Sequence, residues 1–316
     1  MKILVCDRLE KKVLDKFEEL GEITNISESK TKTEDLMSNI VDTEIVVIRS
    51  GTKINKDILE NANNLKIIAR CGVGVDNVDV EEATNKKIYV TNSPNANIIS
   101  VAELTIGLII SAARKIHVSN NSLKDKKWDR NKFLGTELYQ KQLGLVGFGK
   151  AAKEVAKRLS AFGMNIVFYD PYVDSSTIEA KKVDLDELLK TSDVISIHVV
   201  KTQETTNLIN DEKLDLIKKG GILVNTSRGG VVDEVALFKR SSDDVIFAGL
   251  DVFSQEPPDI NKTFSTSNIV TTPHLGASTQ EAQLRAGLET VQNISDILNG
   301  ELSSVINIKK IKKYLL

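Results

Sequence analysis

Short apolar runs, rich in β-branched residues, alternate with amphipathic segments along almost the whole chain. Strands that are separated by helices in this way pair in parallel through crossover connections. The early runs are KILVC, EIVVIR, LKIIAR and IYVTN, and the later ones are QLGLVGFG, NIVFYD, DVISIHV, GILVNT, VIFAGLDVF and NIVTTPH. The alternation predicts an α/β protein with parallel sheets, and the later series predicts one doubly wound sheet.

Two of the predicted helices are long. The first follows Pro94, covers roughly residues 98–118 and carries an apolar face from Ile98 to Ile109 at helical spacing. The second begins after the last strand, in TQEAQLRAGLETVQ, and Gly300 is predicted to end it. Because this helix follows the last strand of the later series, we expect it to pack on the domain formed by the early strands.

Composition excludes several classes of protein. A length of 316 residues suits about two domains, and a net charge of −2 with a pI near 6.1 argues against nucleic-acid binding. Cys6 and Cys71 form no CxxC pair. The N-terminus lacks a signal-peptide pattern, and the apolar run in LTIGLIISAA is too short to span a bilayer. We therefore expect a cytoplasmic protein with no membrane partner.

A dinucleotide fingerprint occurs where the later series of strands begins. In GLVGFGKAAKEVA, Gly147 permits a tight turn, Gly149 lets the backbone approach a pyrophosphate, and Ala152 allows close packing of helix on strand. A helix that starts near Lys150 offers free N–H groups and a positive dipole end to the phosphates. The motif predicts a Rossmann domain that binds a dinucleotide.

Asp170 ends the next strand, NIVFYD, at the spacing expected for a residue that accepts hydrogen bonds from ribose hydroxyls. Its charge would repel a 2′-phosphate, so the sequence predicts NAD rather than NADP. In an alternative interpretation Asp170 only caps the turn before Pro171.

Three consecutive strands end in residues suited to hydride-transfer chemistry. Arg228 follows GILVNT, Asp251 and Glu256 follow VIFAGL, and His274 follows NIVTTP. A histidine beside a carboxylate can donate a proton to a developing alkoxide, and an arginine can hold a carboxylate and polarise a carbonyl. Reduction of a 2-keto acid by a nicotinamide needs these two functions and no metal.

Alternative interpretations exist for these residues and for the other histidines. Arg228 could pair with Asp233 or Glu234 at a helix end, and Glu256 could be an ordinary loop charge. His117 is expected at a surface or an interface, and His198 either lines the cofactor site or is a satisfied buried histidine.

Five segments together resemble the D-isomer-specific 2-hydroxyacid dehydrogenases over nearly the whole chain. They are RCGVGVDNVD, GLVGFGKAAKEVA, NTSRGGVVDE, GLDVFSQEPP and TPHLGASTQEA. The resemblance implies an NAD-binding Rossmann domain, residues 95–280, inserted into a flavodoxin-like substrate domain formed by residues 1–94 and 281–316. It also implies a homodimer built on the helix near residues 98–118.

The resemblance implies catalytic roles for three residues, Arg228, Glu256 and His274. It implies NAD contacts from Gly147, Gly149, Lys150, Ala151, Asp170, His198, Val199, Val200, Thr226, Ser227, Arg228, Asp251, His274, Gly276 and Ala277. It implies substrate contacts from Arg49, Ser50, Lys53, Gly72, Val73, Gly74 and Arg130, with Arg130 or Lys132 reaching across a dimer interface.

The segments VIRSGTK, KKWDRNKFLGTEL and PHLGASTQEAQ favour family members that oxidise D-3-phosphoglycerate with NAD at the start of serine biosynthesis. Reduction of glyoxylate or hydroxypyruvate is the alternative, and a non-catalytic NAD-sensing protein is a more distant one. Ala152, Val200 and Val73 depart from residues common in the family. Because the chain ends soon after SSVINI, we expect no C-terminal serine-sensing domain and no inhibition by L-serine through one.

Overall fold

The computed structural model describes residues 1–27, 31–259 and 266–313. The chain divides into two compact units. The discontinuous unit contains residues 1–97 and 277–316, and the continuous unit contains residues 98–276. Within the described residues, no helix has both the length and the apolar character needed to cross a membrane.

The strands follow the apolar runs of the sequence. They are β1 (Lys2–Val5), β2 (Glu22–Asn25), β3 (Ile45–Ile48), β4 (Ile67–Arg70), β5 (Tyr89–Asn92), β6 (Gln142–Val146), β7 (Asn165–Tyr169), β8 (Lys181–Lys182), β9 (Val194–Ile197), β10 (Gly221–Asn225), β11 (Ile246–Leu250) and β12 (Ile269–Thr271).

The helices occupy the amphipathic segments between the strands. They are α1 (Lys11–Glu18), α2 (Thr33–Ile40), α3 (Lys56–Asn61), α4 (Val80–Asn85), α5 (Ile98–Ala113), α6 (Ile116–Lys124), α7 (Lys150–Ser160), α8 (Leu185–Thr191), α9 (Asp211–Leu214), α10 (Glu234–Ser242), α11 (Gln280–Leu298) and α12 (Ile308–Lys313), with a 3₁₀ turn at Arg130–Lys132.

The discontinuous unit is built on a parallel sheet of order β2-β1-β3-β4-β5. This is the order of flavodoxin-like folds. Helix α11 packs against α1, and the Ser93 hydroxyl donates to the Ala286 carbonyl at 2.9 Å. Thr279 caps the start of α11, and Gly300, with φ of +87°, follows its end.

The continuous unit is built on a parallel sheet of order β12-β11-β10-β9-β6-β7-β8. Counted from β6, this is the Rossmann order with one additional strand. Buried apolar residues fill both faces of the sheet, which is why its strands are almost uniformly apolar. Because all strands are parallel, every loop that follows a strand leaves from the same edge.

The prediction of one continuous helix over residues 98–118 is wrong. The structure breaks it into α5 and α6, because Lys115 adopts a left-handed conformation with φ of +52°. Two short edge strands, β2 and β8, are also absent from the sequence prediction, and both consist mainly of exposed polar residues. Hydrophobic periodicity gives no signal for such strands.

Candidate active site

The fingerprint turn lies between β6 and α7 in the continuous unit. Gly147 has φ of +88°, and a Cβ there would lie 2.8 Å from the His198 carbonyl oxygen, so the turn requires glycine. A Cβ on Gly149 would meet no atom of the described residues within 4 Å, so packing among them does not explain this glycine. Ala152, in the first turn of α7, is fully buried. The turn thus fits a pyrophosphate approaching the Gly149 backbone and the N-terminus of α7, where Lys150 and Ala151 lie.

Asp170 follows β7 and binds two backbone amides. Its Oδ2 accepts the Phe148 N–H of the fingerprint turn at 2.8 Å, and its Oδ1 accepts the Tyr172 N–H at 2.8 Å. The carboxylate therefore caps the turn after β7, as the alternative interpretation had it, and also lies against the fingerprint. An acidic group at this position fits the ribose of NAD.

His198, Val199 and Val200 follow β9 at the same edge of the sheet. His198 Nε2 lies 2.9 Å from the Ser196 hydroxyl, and burial of the ring lowers the His198 pKa to about 4. The imidazole is therefore neutral at physiological pH. Val200 is 74% exposed, so it contributes a surface side chain and no packing to the core.

His274 and Glu256 form a direct pair beyond β12 and β11. His274 Nδ1 lies 2.7 Å from Glu256 Oε2, and Glu256 Oε1 accepts the Phe253 N–H at 3.1 Å. The imidazole is about half exposed, and Nε2 faces away from the carboxylate. This geometry can hold a proton on Nδ1 and leave Nε2 to exchange one with a ligand.

Asp251 is fully buried, and its carboxylate accepts hydrogen bonds from the loop that carries His274. Its Oδ1 accepts the Thr272 hydroxyl and the Leu275 N–H, both at 2.6 Å, and its Oδ2 accepts the Gly276 N–H at 2.9 Å. Burial raises the pKa of the Asp251 carboxyl despite these donors. Asp251 thus fixes the turn at His274, where φ is +55°.

Arg228 leaves β10 through a turn built by Asn225. The Asn225 side chain accepts the Ser227 N–H at 3.0 Å and donates to the Arg228 carbonyl at 2.9 Å. The Arg228 guanidinium donates to the Ser227 carbonyl at 2.8 Å. Asp233 caps α10, and Glu234 accepts hydrogen bonds from Gly230 and Ser254. The Thr226 side chain is buried and hydrogen-bonded to Thr105 at 2.7 Å.

A mostly apolar cavity of about 410 Å³ lies beside the His–Glu pair. Phe253, Pro257, Pro258 and Pro273 line it together with Glu256, Thr271, Thr272 and His274. An apolar cavity with a few converging polar groups is typical of a small-molecule site.

The predicted substrate residues of the discontinuous unit follow β3 and β4. Asp7 Oδ2 accepts the Arg49 N–H at 2.5 Å and the Thr52 N–H at 3.2 Å, which fixes the loop carrying Arg49, Ser50 and Lys53. Ser50 and Lys53 are exposed.

The second of these loops contains Gly72, Val73 and Gly74. Asn92 donates to the Val73 carbonyl at 2.5 Å, and a Cβ on Gly72 would lie 2.5 Å from the Arg70 guanidinium. The two predicted loops of this unit therefore leave neighbouring strands at one edge.

Arg130 does not follow a strand. It is an exposed residue of the 3₁₀ turn after α6 and lines a cavity of about 700 Å³ with Arg114 and residues 131 and 133–137. Ala277 is the first residue after the continuous unit and belongs to the discontinuous one.

The model of the D-isomer-specific 2-hydroxyacid dehydrogenase NAD-binding domain matches residues 106–276. This match covers more than half of the chain. The chain belongs to the D-isomer-specific 2-hydroxyacid dehydrogenases. Membership of this family of oxidoreductases confirms the predicted fold class, and it confirms NAD as the cofactor.

Two relatives show how the chain compares with other 2-hydroxyacid dehydrogenases. It is 46% identical to a D-3-phosphoglycerate dehydrogenase of Methanocaldococcus jannaschii over 98% of its own length and 60% of the relative. It is also 46% identical to a hydroxypyruvate reductase of Thermotoga maritima, over 93% of its own length and 97% of the relative. The chain thus spans about 60% of the length of the phosphoglycerate dehydrogenase that it matches.

A solved structure of the family agrees with the fold. The NAD⁺-bound 3-phosphoglycerate dehydrogenase of Entamoeba histolytica superposes with a TM-score of 0.81 and 31% sequence identity, covering 97% of this chain and 98% of the other.

Arg70 is a candidate substrate-binding residue that the sequence interpretation missed. It ends β4, next to β3 and the loop of Arg49, and its Nε donates to Asn77 Oδ1 at 3.2 Å. Burial raises the pKa of the neighbouring Cys71 thiol to about 11, although the positive charges of Arg49 and Arg70 favour the thiolate. The signal was present, because LKIIAR ends in an arginine before a glycine-containing turn, as GILVNTSR does.

Proposed function

We propose that this chain catalyses the reversible NAD-linked oxidation of D-3-phosphoglycerate to 3-phosphohydroxypyruvate. The observation that carries the proposal is the 2.7 Å contact between His274 and Glu256, which lies at the strand edge that also bears the fingerprint turn and Arg228. In this proposal the continuous unit binds NAD and supplies Arg228, Glu256 and His274, and the loops after β3 and β4 bind the phosphate and carboxylate of the substrate.

The acid–base step is assigned to His274. During oxidation, Nε2 accepts the substrate hydroxyl proton while Glu256 stabilises the resulting imidazolium through Nδ1. During reduction the imidazolium returns the proton to the keto oxygen. The cofactor held by the fingerprint turn and Asp170 would supply the redox chemistry, as NAD⁺ accepting the hydride during oxidation and as NADH returning it during reduction. Arg228 is assigned to orient the substrate carboxylate and to polarise its carbonyl group.

Positive charge in the discontinuous unit supports a phosphorylated substrate. Arg49 and Arg70 lie at neighbouring strand ends, and Lys53 is exposed on the loop that carries Arg49. Two guanidinium groups near one loop suit a phosphate, whose oxygens accept bidentate hydrogen bonds. The amides around Gly72 and Gly74 are assigned to the substrate carboxylate.

Reduction of hydroxypyruvate is the second candidate function. A hydroxypyruvate reductase is as similar to this chain as a D-3-phosphoglycerate dehydrogenase is, and the chain covers 97% of it. The same acid–base pair would serve this reaction. The two functions differ in whether the substrate carries a phosphate, and therefore in their dependence on Arg49.

We also propose a homodimer, with Arg130 or Lys132 contributing to the partner's phosphate site. Both residues belong to an exposed 3₁₀ turn, and Trp128 and Leu134 beside it are more than 80% exposed. Apolar side chains that are this exposed are typical of an interaction surface.

Initial rates of NADH oxidation with 3-phosphohydroxypyruvate, hydroxypyruvate and glyoxylate test the function. We expect the phosphorylated substrate to give the highest kcat/KM and Arg49→Ala to lower that value by about 10²-fold, since a charge-assisted contact with phosphate contributes roughly 2–3 kcal/mol. Lys56→Ala, which removes an exposed cation of the same unit, is the control and should have little effect.

Other outcomes identify other functions. If hydroxypyruvate or glyoxylate gives the highest kcat/KM and Arg49→Ala changes little, the chain is a reductase of unphosphorylated keto acids. If no substrate is reduced while NADH still binds, the chain is a sensor of NAD and the catalytic proposal is wrong.

A further inference from the structure

The loops that follow β10 and β11 approach each other so closely that no side chain would fit between them. Gly229 follows Arg228 directly, and a Cβ on it would lie 1.9 Å from the Phe253 carbonyl carbon and oxygen. Phe253 in turn donates its N–H to Glu256. The backbone after Arg228 is therefore in contact with the backbone that orients Glu256.

A single carboxylate binds both of these loops. Glu234 Oε1 accepts the Ser254 N–H at 2.6 Å and the Gly230 N–H at 3.3 Å, and its Oε2 accepts the Ser254 hydroxyl at 2.9 Å. Glu234 thus joins the loop after β10 to the loop after β11.

Glu234 is itself held at a fixed position. It is the first residue of α10, and the helix start is fixed by Asp233, whose side chain accepts the Ala236 N–H at 3.0 Å. An acidic residue in a first helical turn also interacts favourably with the helix dipole. The carboxylate therefore extends from a rigid element towards two loops.

We propose that Glu234 is a positioning residue that holds Arg228 and the Glu256–His274 pair in register with each other. Its contact with Ser254 fixes the backbone next to Phe253, whose N–H orients Glu256, and Glu256 orients His274. Its contact with Gly230 fixes the turn after Arg228. The proposal rests on the catalytic roles proposed above for these three residues.

The test compares Glu234→Ala, Glu234→Asp and Glu234→Gln with the wild-type protein. Aspartate keeps the charge but is one methylene shorter, so it cannot reach both loops. Glutamine keeps an acceptor oxygen for the two N–H groups and an amide that can pair with the Ser254 hydroxyl. Glu212→Ala is the control, because Glu212 is an exposed acid in the first turn of α9.

Hydrogen exchange measured by mass spectrometry tests the link between the loops independently of activity. We expect faster exchange in residues 228–232 and 252–256 of Glu234→Ala and Glu234→Asp, and wild-type exchange in Glu234→Gln and Glu212→Ala. Exchange in Glu234→Ala and Glu234→Asp that matches Glu212→Ala, or faster exchange in one segment alone, would overturn the proposal.

Kinetics with 3-phosphohydroxypyruvate and NADH test the consequence. We expect kcat to fall by about 10- to 100-fold in the Ala and Asp variants, since small displacements of reacting groups have effects of this size, while the KM for NADH changes little. Glu234→Gln should restore kcat.

The proposal is overturned if glutamine fails to restore kcat, or if the Ala and Asp variants keep the wild-type kcat. A wild-type protein that reduces no keto acid would contradict the proposed function. The exchange measurements would still decide whether Glu234 joins the two loops.

Discussion

Buried or half-buried polar side chains bind backbone amides in the loops after the strands. Asn225 forms the turn before Arg228, Asp251 binds the amides around His274, and Asp7 binds the amides around Arg49. Each group satisfies donors that a loop leaves without strand partners. The loops proposed to contact ligands are therefore held in place by polar side chains that bind their backbone.

The difference between charged residues at strand ends and polar residues that bind loop backbone explains which site residues the sequence could predict. Arg228, Glu256 and His274 were identified because charged groups at the ends of apolar strands are unusual. Asp7 and Asn77 were missed, because a polar residue that binds backbone N–H or carbonyl groups looks the same in a sequence as one exposed to solvent. The cofactor contact of Asp251 stays a prediction, and the structure adds that its carboxylate is buried in the loop of His274.

His198 should remain neutral over the whole range in which a free histidine titrates. Its pKa is about 4 because burial disfavours the imidazolium, compared with an ordinary value of 6.5. With three histidines in the chain, ¹³C-histidine NMR can follow each ring. We expect one ring resonance to stay constant from pH 8 to about 5 and to be absent in His198→Gln.

The low pKa of His198 also has a consequence for stability. Because the unfolded chain takes up this proton near pH 6.5 and the folded chain only near 4, the contribution of His198 to stability is present above pH 6.5 and is lost as the pH falls through 4. A His198 resonance that titrates near pH 6.5 would contradict both statements.

At the scale of elements, hydrophobic periodicity predicted the buried strands and the alternation of helices between them. It missed β2 and β8, whose side chains are mostly exposed, and it joined α5 to α6, because the left-handed conformation of Lys115 is not encoded by a glycine or proline. The two sheet orders could not be derived from periodicity, because strand order depends on which helices pack on which face.

Helix α11 provides a test of packing at this scale. A Cβ on Gly287 would lie 2.5 Å from Val13 Cγ2 of α1. Alanine normally stabilises a helix by about 1 kcal/mol relative to glycine, but overpacking costs roughly 1–3 kcal/mol. We therefore expect Gly287→Ala to lower the free energy of unfolding by about 1 kcal/mol in urea denaturation.

Val13→Ala should relieve the clash that Gly287→Ala creates. The double variant should be more stable than the sum of the two single effects predicts, by about 1 kcal/mol or more, because the two sites are in contact. If Gly287→Ala alone stabilises the protein, α1 and α11 do not approach as closely as the structure has them.

At the scale of the whole molecule, an exposed apolar surface remains in the continuous unit. Trp128, Leu134 and Leu123 are 81%, 85% and 57% exposed, and Leu123, Trp128 and Phe133 line a cavity of about 300 Å³. Large exposed apolar groups that lie together are unfavourable in water unless a partner covers them. This surface is where the proposed second copy of the chain would bind.

Trp128 is the only tryptophan in the chain, so its fluorescence reports on this surface alone. In a homodimer we expect the emission of a tryptophan shielded from water, and in a monomer the emission of an exposed one. Leu134→Glu should shift the emission to the red and give a monomer in sedimentation velocity, because a charge would be buried without a partner. Val235→Glu, at an equally exposed apolar residue of the same unit, should leave both unchanged. A wild-type protein that sediments as a monomer with exposed-tryptophan emission would exclude the dimer, and with it any role of Arg130 in a partner's site.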